Sequence, residues 1–288
     1  MVATEAISIS SNSVVFSEVG TGSVGNGGMI NISAPIVSLK GASVNTQLRE
    51  GGQGKAGDIN IFTTELLKVT NGGQLATATR GQGNAGNINI SGSQKIIFDG
   101  VGDNVWASGN DDRTRDIIIT SGVFTTVGTR ERGNAGGIFI TTDSLEVTNR
   151  ARLSASTRGN GDAGRVEIIA NTFEASNGGQ LLSRTSSQFS AGNIILKVKD
   201  SITLSGSDTG IFANTTEGST GNGGSIIIDP KTFIIQDGAT ISINSQGAGA
   251  GGDIKLAAGS LTLDRGTISA ETLSNTGGNI TLNYRLLL

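Results

Sequence analysis

The chain has 288 residues, with 45 Gly, 2 Pro, no Cys and no His, and a formal net charge of −3 from 21 basic and 24 acidic side chains. This excludes disulfides, thiolate sites and any chemistry that needs imidazole, and so near a balance of charge argues against an electrostatic nucleic-acid binder. Hydrophobic residues are 35% of the chain and aromatics 4%, so its core must be narrow, repetitive and built from aliphatic side chains.

The opening stretch, MVATEAISIS, has no basic segment followed by an apolar one and is not a signal peptide. No run of about 18 apolar residues follows anywhere, so no membrane span is expected. From Gly25 onward one pattern recurs. The last glycine of each Gly-rich cluster falls at Gly28, Gly57, Gly86, Gly136, Gly164, Gly192, Gly224, Gly252 and Gly278, in steps of 29, 29, 50, 28, 28, 32, 28 and 26 residues. The residues two and four places after each glycine, from Ile30 and Ile32 through Ile88 and Ile90 to Ile280 and Leu282, are Ile, Val or Leu in all 18 cases. Those between are mostly small or polar, as in Asn31, Asn60, Asn89 and Glu167. Alternation at period two predicts a half-buried strand.

Each repeat continues with a second strand-like piece, as in LKVT (Leu67, Val69) and LEVT (Leu145, Val147). A turn such as Asn71-Gly72, Asn177-Gly178 or Asp237-Gly238 follows, suited to positive φ. A third piece then begins, as in QLATATR and RLSASTR. Three short strands per repeat of about 28 residues predict an all-β solenoid, a right-handed parallel β-helix. Nine or ten coils stacked at roughly 4.8 Å would make one domain about 45 Å long over 1–288. Ile30, Ile59 and Ile88 would then form one buried ladder, and Ile32, Ile61 and Ile90 another. A propeller needs longer, four-stranded blades, and no segment has the 3.6-residue period of a helical solenoid.

The 50-residue step contains VGDNVWASGNDDRTRDIIIT, residues 101–120. It holds the only Trp, Trp106, and the charges Asp111, Asp112, Arg113, Arg115 and Asp116. These six are the candidate partner-binding residues, on an insertion projecting from one corner; one extra short coil is the alternative. Trp106 either pins the insertion to the scaffold or stacks on a sugar or partner. Asp111, Asp112 and Asp116 could supply the two carboxyl groups of a glycoside hydrolase, yet neighbours in one loop are poorly placed as acid and base, and solvated loop charges are the simpler reading.

Four stretches, including Gly81-x-Gly83-x-x-Gly86 in RGQGNAGNINI, match the dinucleotide fingerprint G-x-G-x-x-G. That fingerprint needs a helix after the loop, whereas NINI, DINI, RVEI and DIKL read as strands. The glycines are therefore expected to be structural corners. A calcium array is not expected either, because calcium-binding β-rolls repeat every nine residues. No cofactor and no metal follow from the sequence.

The phrases GNGGMINIS, GNAGNINIS, SGVFTTVG and LEVTNRARLSASTRGNGDAG resemble the cyanobacterial branch of filamentous-haemagglutinin-like exoproteins, the passengers of two-partner secretion. The resemblance spans roughly 25 to 285 and implies a right-handed β-helix, export through an outer-membrane translocator, and a surface or adhesive role. That family's secretion domain carries Asn-Pro motifs, whereas the two prolines here stand in Ala34-Pro35 and Asp229-Pro230. The chain therefore resembles the repetitive shaft, for which no functional residue can be carried over. The expected function is a non-enzymatic structural or adhesive segment outside the cell, meeting glycan or cell surfaces through its polar faces and the 101–120 insertion. A polysaccharide lyase or hydrolase is the alternative. The coil edges are expected to associate.

Overall fold

The structure, a computed structural model, describes residues 1–102, 119–273 and 277–284. Among these there are 25 strands and no helix. Nearly all pair in parallel, in one sheet of 14 strands and a second of nine. The chain winds through both sheets once per repeat, with the right-handed sense that parallel crossovers adopt, so the protein is a right-handed parallel β-helix of about nine coils.

The first sheet supplies two of the three faces of each coil. One face carries strands such as Ile30–Ser33 and Ile59–Phe62, the other strands such as Ile36–Lys40 and Leu66–Thr70. In four central coils the two pieces run on as single bent strands, Ile88–Asp99, Ile138–Thr148, Val166–Ser176 and Ile194–Ser205. Register shifts at Thr141/Thr142 and Ala170/Thr172 take up the bend. The second sheet is the third face, running from Val14–Val19 through Gln74–Thr79 and Arg152–Thr157 to Thr267–Thr272.

The expected ladders are present. Ile30, Ile59, Ile88, Ile138, Val166, Ile194, Ile226, Ile254 and Ile280 are successive partners, and the column from Ile32 to Leu282 runs beside them. Sixteen of these 18 side chains are buried. The exceptions are Ile280 and Leu282, 43% and 54% exposed, which stand on the last described rung. Leu261 and Leu263 are also exposed. Phe98, Phe173 and Phe233 fill the second face.

The 50-residue step is a single coil. Gly122–Val127 pairs with Gln74–Thr79 on one side and Arg152–Thr157 on the other, with no rung between. The chain leaves this coil and returns to it through an antiparallel pair, Val101–Gly102 against Ile119–Thr120. Gly72 N donates to Ser121 Oγ at 2.9 Å and Gln74 Nε2 donates to Thr120 O at 3.1 Å, tying the return strand to the preceding coil.

Candidate functional site

The glycine-rich corners come first because they imitate a cofactor loop. In RGQGNAGNINI the amide of Gln82 donates to Gly52 O at 2.8 Å, Gly83 to Arg132 O at 2.7 Å and Ala85 to Asn134 O at 3.0 Å. Asn87 N donates to Asp58 Oδ1 at 2.8 Å. The amides that would cradle a phosphate are thus engaged by neighbouring coils, and the strand Ile88–Asp99 follows in place of a helix. The final glycine of the motif serves close approach: a Cβ built at Gly86 would overlap the carbonyl oxygen of Gly57 in the preceding coil.

Side-chain ladders complete the corners and faces. Asn89 Nδ2 donates to Asn60 Oδ1, and Asn60 Nδ2 to Asn31 Oδ1, each at 2.8 Å. Asn84, Asn134 and Asp162 each accept the amide of a residue one coil on, at 2.9–3.0 Å. Inside the core, Thr77 and Thr125 donate across its narrow width to Gly86 O and Gly136 O at 2.6 and 2.5 Å, and Thr46 donates to Gly57 O. All three threonines are fully buried, a polar column that the hydrophobic pattern did not announce.

The outer face of the second sheet breaks this uniform polarity. Phe124, Ser154, Leu182, Phe212 and Ser242 stand in register on successive rungs. Leu182 points outward from the solenoid and is still only 6% exposed. Arg184 lies 5.4 Å from the Phe212 ring centroid, within cation–π range. Arg152 stands on the adjoining rung, and the Nε atoms of both Arg152 and Arg184 are buried without a hydrogen-bond partner. Burial first, and repulsion from Arg150 second, hold the Arg152 guanidinium below the usual arginine value; burial and then Arg152 do the same to Arg184. Both stay charged, since an arginine side chain does not deprotonate in a protein.

Six bases among the described residues are matched with acids. Arg49 pairs with Glu18 at 2.7 Å, Lys95 with Glu146 at 2.6 Å, and Arg165 and Lys197 with Glu167 at 2.5 and 2.8 Å. Arg150, Arg152 and Arg184 are among the described bases with no such partner, and Arg152 and Arg184 are set apart by their buried Nε atoms. Arg150 also holds a left-handed backbone. It has φ 70° at a turn position filled by Gly41, Gly72, Gly178 and Gly238 in some coils and by Asn12, Asp208 and Arg265 in others, all at positive φ. Left-handed backbone costs an L-residue about 1–2 kcal/mol. Beside it opens a trough of about 510 Å³ lined by Arg150, Arg152, Asn177, Gln180, Ser207 and Asp208, with Gly178 and Gly206 at its floor turns.

Trp106, Asp111, Asp112, Arg113, Arg115 and Asp116 lie outside the described residues. The described ends of their segment, Val101–Gly102 and Ile119–Thr120, emerge one rung from Arg150, at the same corner of the coil. The arginine–aromatic face was missed because each residue alone is ordinary. Aligning TNGGQLATATR with TNRARLSASTR shows Arg150 in a glycine position, the one signal that could have marked it.

The fold and this face define a class, a parallel β-solenoid with a cationic patch that has no ion pair among the described residues. Comparison of the chain with protein-family models, curated proteins and solved structures gives no match.

Proposed function

We propose that this chain is a non-enzymatic structural and adhesive segment of a bacterial exoprotein, exported through an outer-membrane translocator and displayed outside the cell, where it contacts glycan. The phrases quoted above, with their resemblance to exoprotein shafts, support the export route. The observation that carries the contact is the second-sheet face, where Arg152 and Arg184 are half-buried without carboxylate partners among the described residues, beside Leu182 and Phe212. Buried polar groups without partners are rare in folded proteins. Arginines beside aromatic rings are also the residue types that dominate binding hot spots.

The test is retention of the purified chain on a panel of immobilised neutral and acidic glycans and on whole cells, with the same glycans assayed for chain cleavage. Retention without cleavage is the expected result. Depolymerisation of any retained glycan would replace adhesion with catalysis, and no retention on any surface would leave only a spacer.

A further inference from the structure

We infer that the trough beside Arg150 and Arg152 is a subsite for the carboxylate of an acidic sugar, a hexuronate residue within a polysaccharide. The inference deepens the glycan-contact proposal and rests on it. Three features of the trough carry it.

The first is charge. The trough holds two guanidinium groups and one carboxylate, from Asp208, a net charge of one positive (2 − 1 = +1). No ion pair joins Asp208 to either arginine. A singly charged group per residue matches that balance, whereas a densely sulfated chain would meet repulsion from Asp208. The planar guanidinium fork is also built to grip a carboxylate through two parallel hydrogen bonds.

The second is the polar lining. Asn177, Gln180 and Ser207 offer amide and hydroxyl groups, and Asp208 offers an acceptor, which together suit a ring bearing several hydroxyls. Gln180 Nε2 donates to Asp208 O at 2.7 Å and so holds the wall in place. A peptide is a poorer occupant. Strand addition needs free backbone groups, and here Arg150 N already donates to Asn177 O at 2.9 Å, Gly178 N to Thr209 Oγ1 at 2.8 Å and Gln180 N to Ala151 O at 3.0 Å. The volume lies within the range of small-ligand sites, roughly 300–1,000 Å³.

The third is the placement of the Arg150 side chain. Its turn follows Asn149, which has φ 53°, as Asn71 and Asn177 precede the glycines of the equivalent turns. Glycine would satisfy the fold at this position, and arginine occupies it at a conformational cost. Its Cγ lies 3.1 Å from where a Cβ of Gly178 would be, so the side chain leans over the next coil and into the trough. Non-glycine residues at positive φ also stand at this position in other coils, at Asn12, Asp208 and Arg265, so what distinguishes Arg150 is the placement of its side chain in the trough.

The test measures affinity of the whole chain for oligogalacturonate, its methyl ester, a heparin oligosaccharide and a neutral dextran oligosaccharide, at fixed salt. The expected order is oligogalacturonate first, with esterification weakening binding roughly ten- to a hundredfold, the span of one or two hydrogen bonds to a charged group. Arg150→Gly, which places there the residue of the coils of Gly72 and Gly178, and Arg152→Gln should each bring wild-type affinity toward that of the ester. Lys68→Gln, an equal loss of charge on the first sheet, should change nothing. Thermal melts check that each variant is folded, and Arg150→Gly should melt no lower than wild type. Equal binding of acid and ester, heparin preferred over oligogalacturonate, or unchanged affinity in Arg150→Gly would overturn the inference while leaving glycan contact in place. Failure of all four probes, together with no retention on the wider panel, would instead remove the functional proposal beneath it.

Discussion

Gly28→Ala and Gly86→Ala make the same chemical change at the same place in the repeat, and the stack predicts different outcomes. Neither glycine has positive φ, so alanine costs little in backbone conformation at either. At Gly86 the new Cβ would overlap the carbonyl of Gly57, a backbone atom that no side-chain rotation can move aside. Relief requires the two coils to part at this corner. They are held there by Ala56 N to Asn84 O at 3.0 Å and Asn87 N to Asp58 Oδ1 at 2.8 Å, while Thr77 Oγ1 holds Gly86 O at 2.6 Å. Two hydrogen bonds lost at about 1 kcal/mol each, with about 1–3 kcal/mol of overpacking, give about 3–5 kcal/mol. At Gly28 the new atom meets only the Ser17 hydroxyl, at 3.2 Å, which can rotate away, and the cost should stay below about 1 kcal/mol. Urea unfolding followed by circular dichroism gives the totals. Hydrogen exchange at Ile59 and Ile88 locates the damage, since a solenoid distributes stability between nearest neighbours. Equal losses in the two variants would show that the motif needs glycine for its own conformation, and the coil-contact explanation would fail.

Ile88→Asp places a charge on a fully buried rung and should lower stability by several kcal/mol. Asn89→Asp points outward, loses one bond to Asn60 and should cost about 1 kcal/mol; similar melting temperatures for the two would overturn the register. Thr77→Val keeps the shape of a fully buried side chain and removes its donor to Gly86 O, an expected loss of about 1–3 kcal/mol in urea titration. Two carboxylates should respond to pH in opposite senses. Burial, then the like charge of Glu50, raises the Glu131 carboxyl, so its protonated form favours the fold and that contribution is lost as pH rises through the folded value. Glu131→Gln should therefore raise the melting temperature at pH 7 and lose that advantage at pH 3. The Asn279 amide first, then its side chain, lowers the Asp253 carboxyl, whose stabilisation is present above the unfolded value and lost as pH falls through the folded one. Asp253→Asn should lower the melting temperature at neutral pH and converge with wild type in acid.

The ladders were legible because a solenoid core obeys two periods at once. Residues such as Ile59 and Ile61 alternate at period two, and their equivalents recur at the length of one coil. Both regularities are one-dimensional, and both survive in the sequence. Turns such as Asn71-Gly72 and Asn177-Gly178 were legible for a local reason, since positive φ selects residue type within the turn itself. The strand breaks were less so: the first two pieces of a coil run together as Ile88–Asp99 but stay apart as Ile59–Phe62 and Leu66–Thr70. A bend of this kind depends on the coils either side.

By itself the sequence determined the fold class, the length of the repeat and which aliphatic residues turn inward, because burial on a stacked coil imposes a periodic choice between apolar and polar at every rung. Only the tertiary structure decided why the corner must be glycine at Gly86 and need not be at Gly28, since the obstructing carbonyl belongs to another coil. It alone decided that Thr46, Thr77 and Thr125 are buried donors, because their acceptors lie across the core. The gathering of Arg150, Arg152 and Arg184 on one face has the same origin. Arg152 and Arg184 are 32 residues apart along the chain and one rung apart in space, and a site made by stacking becomes visible only once the coils are in register.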